Sequence, residues 1–283
     1  MTTAVTFKRK IAEDVVPGKR LGRHIRHDPR SLRYLVEPKG TVVSARWERR
    51  TPVLDQGNLG SCTGNAACGV LGTDPFYGTL RDGQPLDEGE AVALYSEATA
   101  VDDYPGAYPP EDTGSDGLSV AKACQDAGLI SGYRHITSLA AAQTAIQTGP
   151  FIVGSDWYSG MDDPNGSGVV QATGYLRGGH EYECIGYDAS ADLWELVNSW
   201  GTSFGIGGHF FYSSATFTRL LAHDGDATVF VPITSPAPTP TPPVEDADHQ
   251  LVDALGAWSL ARHSGTNRKA AQAFKTWRVA KGL

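Results

Sequence analysis

Between residues 233 and 246 the chain reads ITSPAPTPTPPVED, proline alternating with small residues. Proline has no amide hydrogen and holds φ near −65°, so this run can join neither a helix nor a sheet interior and is expected to extend as polyproline II. Whatever folds before it must close its own core. At about 3.1 Å per residue the spacer would separate its neighbours by roughly 30–40 Å if fully extended. Beyond it, residues 247–283 are expected to form a small helical hairpin. Leu251, Leu255 and Trp258 share helical spacing before Gly265, and Asn267 is placed to cap a second helix with Ala270, Phe274 and Trp277 on one stripe. About 40 residues rarely stand alone as a domain. Two readings of the hairpin therefore stand: stripes that pack on each other, or a module that docks a partner the sequence does not identify.

The body before the spacer has helices first and strands later. GEAVALYSEATAV and LSVAKACQDAGLI have helical apolar spacing, whereas GPFIVGSDWY, HEYECIGYD, LWELVNSW and HFFYS are short strand-like runs bounded by Gly, Pro and Asp. With no βαβ alternation, that order predicts an α+β fold, a helical layer beside an antiparallel sheet or barrel.

Charge divides the chain again. Residues 1–50 carry 13 Lys and Arg against 5 Asp and Glu, residues 51–243 carry 5 against 23, and residues 244–283 carry 6 against 4. An acidic body repels phosphates and favours cationic partners, so no nucleic acid is expected on it; its own basic N-terminal arm, 1–37, is the nearest cation. The arm is expected to lie across the body, either covering a cleft or packing as a surface segment. No run approaches the roughly 18 apolar residues of a membrane span, and MTTAVTFKRKIAEDVV has no apolar signal region, so neither a membrane partner nor a signal peptide is expected.

Four cysteines, Cys62, Cys68, Cys124 and Cys184, include no C-x-x-C pair. They read as reduced thiols with no zinc site, although two disulfide pairs remain arithmetically open. Cys62 stands apart, because in DQGNLGSCTGNAACG (55–69) it lies in a glycine-rich turn just before a run of small residues suited to start a helix. A phosphate cradle would need a following Lys-Ser or Lys-Thr, which is missing. A helix N-terminus favours a thiolate, which points to a nucleophile; a buried free cysteine is the plainer alternative.

A nucleophile needs partners. His180 opens a strand-like run after a glycine pair in RGGHEYECIGYD, and eighteen residues on lie Asn198, Ser199 and Trp200. An Asn oxygen can accept from a histidine N–H and fix its tautomer, while an indole shields that bond from water. Gln56, six residues before Cys62, can aim an amide N–H at the same developing oxyanion as the Cys62 backbone N–H. His209 has aromatic neighbours and no obvious polar partner, so it reads as structural.

The segments QGNLGSCT, GGHEYECIGYD and NSWGTSFGIGGHFF together resemble the papain-like cysteine peptidases, over about Pro38 to Val231 and in their compact bacterial and phage-type branch. The resemblance implies a two-lobed α+β fold, a helical lobe plus an antiparallel β-barrel lobe. It implies Cys62 as nucleophile, His180 as general base and then acid, Asn198 as orienter, Gln56 as oxyanion donor and Trp200 as shield. Gly114 and Ser115 in DTGSDGL would offer backbone to an extended substrate. No cofactor or metal is implied, and the partner is a peptide or protein, cationic by the charge argument.

The expected organisation is an arm (1–37), a peptidase domain (38–232), the linker (233–246) and the hairpin (247–283). The chain departs from the family's pattern at several places. Thr63 replaces a Trp, and Leu59 replaces a Cys, so the usual disulfide from that position cannot form. Glu181 and Glu183 stand on a strand that is mostly apolar in the family, where an unpaired buried carboxylate is costly. The arm is too short for a long helical pro-region, so a cytoplasmic or phage-associated location is expected. Three functions remain open: a cysteine endopeptidase, a cell-wall peptide amidase using the same thiol chemistry, and a non-catalytic binding module on a peptidase fold. The intact set Gln56, Cys62, His180 and Asn198 counts against the third, and Gln56 together with Asn198, Ser199 and Trp200 favours the first over the second.

Overall fold

A computed structural model describes residues 6–80 and 86–233; the linker beyond Ile233 and the hairpin 247–283 lie outside the described residues. The arm contributes a two-stranded ribbon, β1 (Phe7–Arg9) with β2 (Ile25–His27), and β3 (Ala45–Arg46) follows it. Four helices come next: α1 (Cys62–Leu71), α2 (Phe76–Leu80), α3 (Glu88–Val101) and α4 (Gly117–Asp126). The remainder runs β4 (Gly132–His135), α5 (Leu139–Ala145), β5 (Phe151–Tyr158), β6 (Leu176–Asp188), β7 (Leu193–Val197), β8 (His209–Ser213), α6 (Ser214–Ala222) and β9 (Asp226–Val231).

Local signals start the helices. Asp87 accepts from the Glu90 N–H while the Glu90 side chain reaches back to Asp87, a reciprocal cap on α3. Asp116 caps α4 through the Ser119 N–H at 2.8 Å. The sequence CTGNAACGVL makes α1 narrow enough to be buried on every side. A methyl group on Gly64 would sit 2.1 Å from the Ala91 carbonyl of α3, so glycine there sets how closely the two helices approach.

The strands form one antiparallel sheet in the order β4-β9-β5-β6-β7-β8, with β3 added on β6. Two cores result. One gathers Ala67, Val70, Leu94, Ala98, Val120 and Ile152 around the helices. The other gathers Phe151, Trp157, Tyr182, Trp194, Phe210 and Phe217 inside the curved sheet. This is the two-lobed α+β architecture expected from the resemblance.

The long strand β6 is buried on both faces and divides the lobes. Because side chains alternate along a strand, Tyr182 and Cys184 enter the sheet's core, and Glu181 and Glu183 face the helices. Glu183 has the partners its burial demands: Arg49 Nε lies 2.9 Å from one oxygen, and the Thr73 hydroxyl donates to the other at 2.6 Å. Gly69 of α1 leaves room for this carboxylate, since a Cβ there would lie 2.6 Å from Glu183 Oε2. Among the described residues no helix is long and apolar enough to cross a membrane.

Candidate active site

The turn before α1 is tied to the segment after β7. The Gln56 N–H donates to the Ser199 carbonyl at 2.9 Å, and Asp55 bridges Trp200, which lays QGNLGSC against NSW. Ser199, given no role from sequence, orients Gln56, because its hydroxyl donates to Gln56 Oε1 at 2.6 Å. The amide nitrogen of Gln56 is thereby turned away from Ser199 and donates to the carbonyls of Leu59 at 2.8 Å and Leu21 at 3.2 Å. Cys62 is the first residue of α1, where helix geometry leaves backbone N–H groups without an intrahelical acceptor.

His180 Nε2 lies 2.8 Å from Asn198 Oδ1. A carbonyl oxygen only accepts, so the ring carries its proton on Nε2 and presents a lone pair at Nδ1, which makes no hydrogen bond among the described residues. The Trp200 indole stacks on the ring with centroids 5.1 Å apart, and Trp157 meets it edge-on at 4.9 Å. Nothing local in GPFIVGSDWY marks Trp157 for this place; the pairing of Ser155 with His180 across β5 and β6 brings it there. The structure thus gathers Gln56, Cys62, His180, Asn198 and Trp200 at the junction of the lobes. His209 lies elsewhere and does have a polar partner: its Nδ1 is 2.9 Å from Glu195 Oε1, a cross-strand contact that sequence spacing did not reveal. Among the described residues no His, Cys, Asp and Glu grouping is arranged to hold a metal ion.

The electrostatics are those of a closed site. Burial pushes the Cys62 thiol well above its ordinary range, the Glu181 carboxylate adds to the shift, and the backbone N–H of Glu181 offsets part of it. Burial lowers the His180 ring to about 4, against the favourable bond to Asn198. Both shifts favour the uncharged thiol and the uncharged ring in the closed site, whereas a nucleophile needs the thiolate. All four thiols are free and buried. Iodoacetamide at pH 6 is accordingly expected to leave Cys62, Cys68, Cys124 and Cys184 essentially unlabelled in the resting protein, and to label Cys62 selectively once the cleft is open; mass spectrometry of the alkylated peptides measures both. Rapid labelling of Cys62 at rest would contradict the closed, neutral pair.

What closes the site is the arm. Residues 20–24 run through the junction as an extended peptide held by its backbone. The Trp200 indole donates to the Arg20 carbonyl at 2.9 Å, and Gln56 donates to the Leu21 carbonyl. The amides of Gly22 and Arg23 donate to the Gly179 carbonyl at 3.2 and 3.0 Å. Ser115 brackets the next stretch, its N–H donating to the Gly22 carbonyl at 2.9 Å and its carbonyl accepting from the His24 N–H at 2.7 Å. Of the two backbone positions expected to face a substrate, Ser115 presents both groups to the arm, whereas the Gly114 N–H is taken by the Tyr95 hydroxyl. Gly114 instead supplies clearance, since a Cβ there would lie 2.3 Å from the Gly22 carbonyl. Arm cations also meet the acidic body, Arg20 on Asp112 at 3.0 Å and Arg26 on Asp103 at 2.8 Å.

With this geometry in view, the comparisons with known proteins agree. Residues 91–220 match the model of the papain family cysteine protease, a stretch that includes Gly114, Ser115, His180, Asn198 and Trp200 and begins downstream of Gln56 and Cys62. The fold is similar to xylellain, a cysteine protease from Xylella fastidiosa, with a TM-score of 0.59 at 17% identity over 78% of this chain and 99% of that one. It is also similar to digestive procathepsin L 3 of the Tenebrio molitor larval midgut, with a TM-score of 0.50 at 18% identity over 70% of this chain and 72% of that one. A cathepsin B-like protein, CP2, of Giardia intestinalis is 48% identical over 48 residues, so the chain spans only 16% of the length of that curated relative. Residues 91–220 thus match the papain family cysteine protease model, and the fold as a whole is that of papain-like cysteine proteases.

Proposed function

We propose that the chain is a cysteine endopeptidase that rests in a latent form, with residues 20–24 of its own arm lying in the cleft. The observation that carries this reading is the Leu21 carbonyl on the Gln56 amide, within a peptide held between Ser115 and Gly179. A groove that grips an extended chain by its backbone beside Cys62 and His180 is built for peptide. In the opened cleft, readmitted water lets the Cys62 proton pass to His180 Nδ1, and Asn198 holds the imidazolium through Nε2. The thiolate adds to the substrate carbonyl, and Gln56 Nε2 with the Cys62 N–H stabilises the oxyanion. Collapse expels the amine with the His180 proton and leaves a thioester, which water activated by His180 hydrolyses. Trp200 and Trp157 keep solvent from the His180–Asn198 bond. The arm (1–37) serves as the plug and residues 38–232 as the catalytic unit.

The test compares casein with purified peptidoglycan as substrates for protein whose arm has been released. Turnover of casein with new peptide ends supports the endopeptidase; release of wall peptides alone would transfer the same site to cell-wall chemistry, and turnover of neither would leave a binding module.

A further inference from the structure

Arg23 of the arm points its side chain into a pocket on the helical side of β6, where it is fully buried. Its Nε and Nη2 donate to Asp226 Oδ2 at 3.1 and 2.5 Å, and Nη2 also donates to the Asp224 carbonyl at 2.6 Å. The carboxylate of Glu181, the residue after His180, lies 3.7 Å from Nε and is itself fully buried. Among the described residues neither oxygen of Glu181 has a hydrogen-bond partner, and neither has Asp226 Oδ1. Two glycines open the pocket. A Cβ on Gly154, in the middle of β5, would lie 2.4 Å from Arg23 Nε, and one on Gly117 would lie 2.5 Å from Glu181 Oε1. Glycine weakens a strand interior and is kept there for close approach; at position 154 what approaches is a guanidinium.

The pocket's place along the groove follows from the arm's backbone. Leu21 puts its carbonyl on Gln56, Gly22 follows, and Arg23 lies opposite Ser115. His180, the proton donor to the leaving amine, stacks on Trp200, and Trp200 holds the Arg20 carbonyl, so the leaving amine of a bond whose carbonyl replaces that of Leu21 lies toward Arg20. The acyl side then runs toward Ser115, opposite in direction to the arm, and brings the second residue on the amino side of the scissile bond to the same pocket. Once the arm leaves, Glu181 and Asp226 lose the one cation paired with them among the described residues. An apolar side chain would strand them, whereas a guanidinium restores the pairing.

We propose that the site selects arginine at the second position on the amino side of the bond it cuts, with Asp226 and Glu181 as the specificity-determining residues, and that Arg23 occupies the pocket as an internal stand-in. The inference rests on the endopeptidase reading, and the test separates the two. It uses full-length Gly22→Ala protein, in which a clash with Gly60 unseats the arm, and acetyl-X-Gly coumarinylamides with X as arginine, citrulline, leucine or phenylalanine. Arginine is expected to exceed isosteric, uncharged citrulline by roughly thirtyfold in kcat/KM. Asp226→Asn, or Glu181→Gln should that variant fail to fold, is expected to bring the two within a few-fold. Equal turnover of arginine and citrulline, or preference for leucine or phenylalanine, overturns the pocket and leaves the peptidase reading intact. If no substrate is hydrolysed, calorimetry on the same protein with acetyl-Arg-Gly-amide and its citrulline counterpart decides the pocket. Tighter binding of arginine supports it and places the failure on the peptidase reading; equal or absent binding overturns it. Should Gly22→Ala not melt cooperatively, wild-type chain nicked within the exposed stretch 37–44 replaces it.

Discussion

Cys62→Ala, introduced into arm-released protein, is expected to abolish peptide hydrolysis, a loss on the order of 10⁴- to 10⁶-fold of the kind seen when a triad loses its nucleophile. Two features make the effect this large. In the proposed mechanism the Cys62 thiol forms the covalent intermediate, and the other three cysteines, Cys68, Cys124 and Cys184, are buried in the two cores. Stability should change little, because alanine suits the start of a buried helix built from small residues. Gln56→Ala is the informative contrast. In the proposed mechanism it removes one oxyanion donor and leaves the thiol, so it should cost about 2.7–4 kcal/mol of barrier, a partial loss. Hydrolysis of a fluorogenic peptide and a thermal melt, measured on each variant, separate chemistry from folding. Retained turnover in Cys62→Ala would remove Cys62 from the mechanism, and full activity in Gln56→Ala would remove Gln56.

The second large effect runs the other way. Gly22→Ala in the full-length chain is expected to raise peptidase activity by roughly 30- to 160-fold, the factor that corresponds to about 2–3 kcal/mol of strain placed on the closed arm. Gly22 has φ +138°, a region that side chains rarely adopt, and a Cβ there would lie 2.1 Å from the Gly60 carbonyl in the turn before Cys62. Both penalties fall on the seated arm alone. Salt should release the arm far less than this substitution. Exposed pairs such as Arg9 with Asp224 are screened, but the backbone bonds of residues 20–24 and the buried Arg23–Asp226 contact are not. Initial rates for wild type and Gly22→Ala across salt concentration test the point; unchanged activity in Gly22→Ala would mean that the arm does not limit access to Cys62.

The residues that sequence alone brought forward were those whose role is written into a short local pattern. A small-residue run after QGNLGSC specifies a helix narrow enough to bury and puts Cys62 at its first turn. The strand-like runs around His180 and Asn198, with no βαβ order, specify antiparallel pairing, and the charge imbalance between residues 1–50 and the body foretold that the arm would lie against it. Tertiary structure decided what depends on register between distant segments. The alternation along β6 sent Glu181 and Glu183 toward the helices, where Arg23 and Arg49, from far earlier in the chain, meet them. Cross-strand pairing brought Trp157 to His180 and Glu195 to His209, neither of which any spacing encodes. Net charge could attract the arm but could not choose its path. That choice was made by Gly22, Gly114 and Gly179, where the lack of a side chain lets the arm's backbone come close enough to bond to Ser115 and Gly179. The upward shift of the Cys62 thiol and the downward shift of the His180 ring come first from burial, which depends on the segments packed over them and not on local sequence.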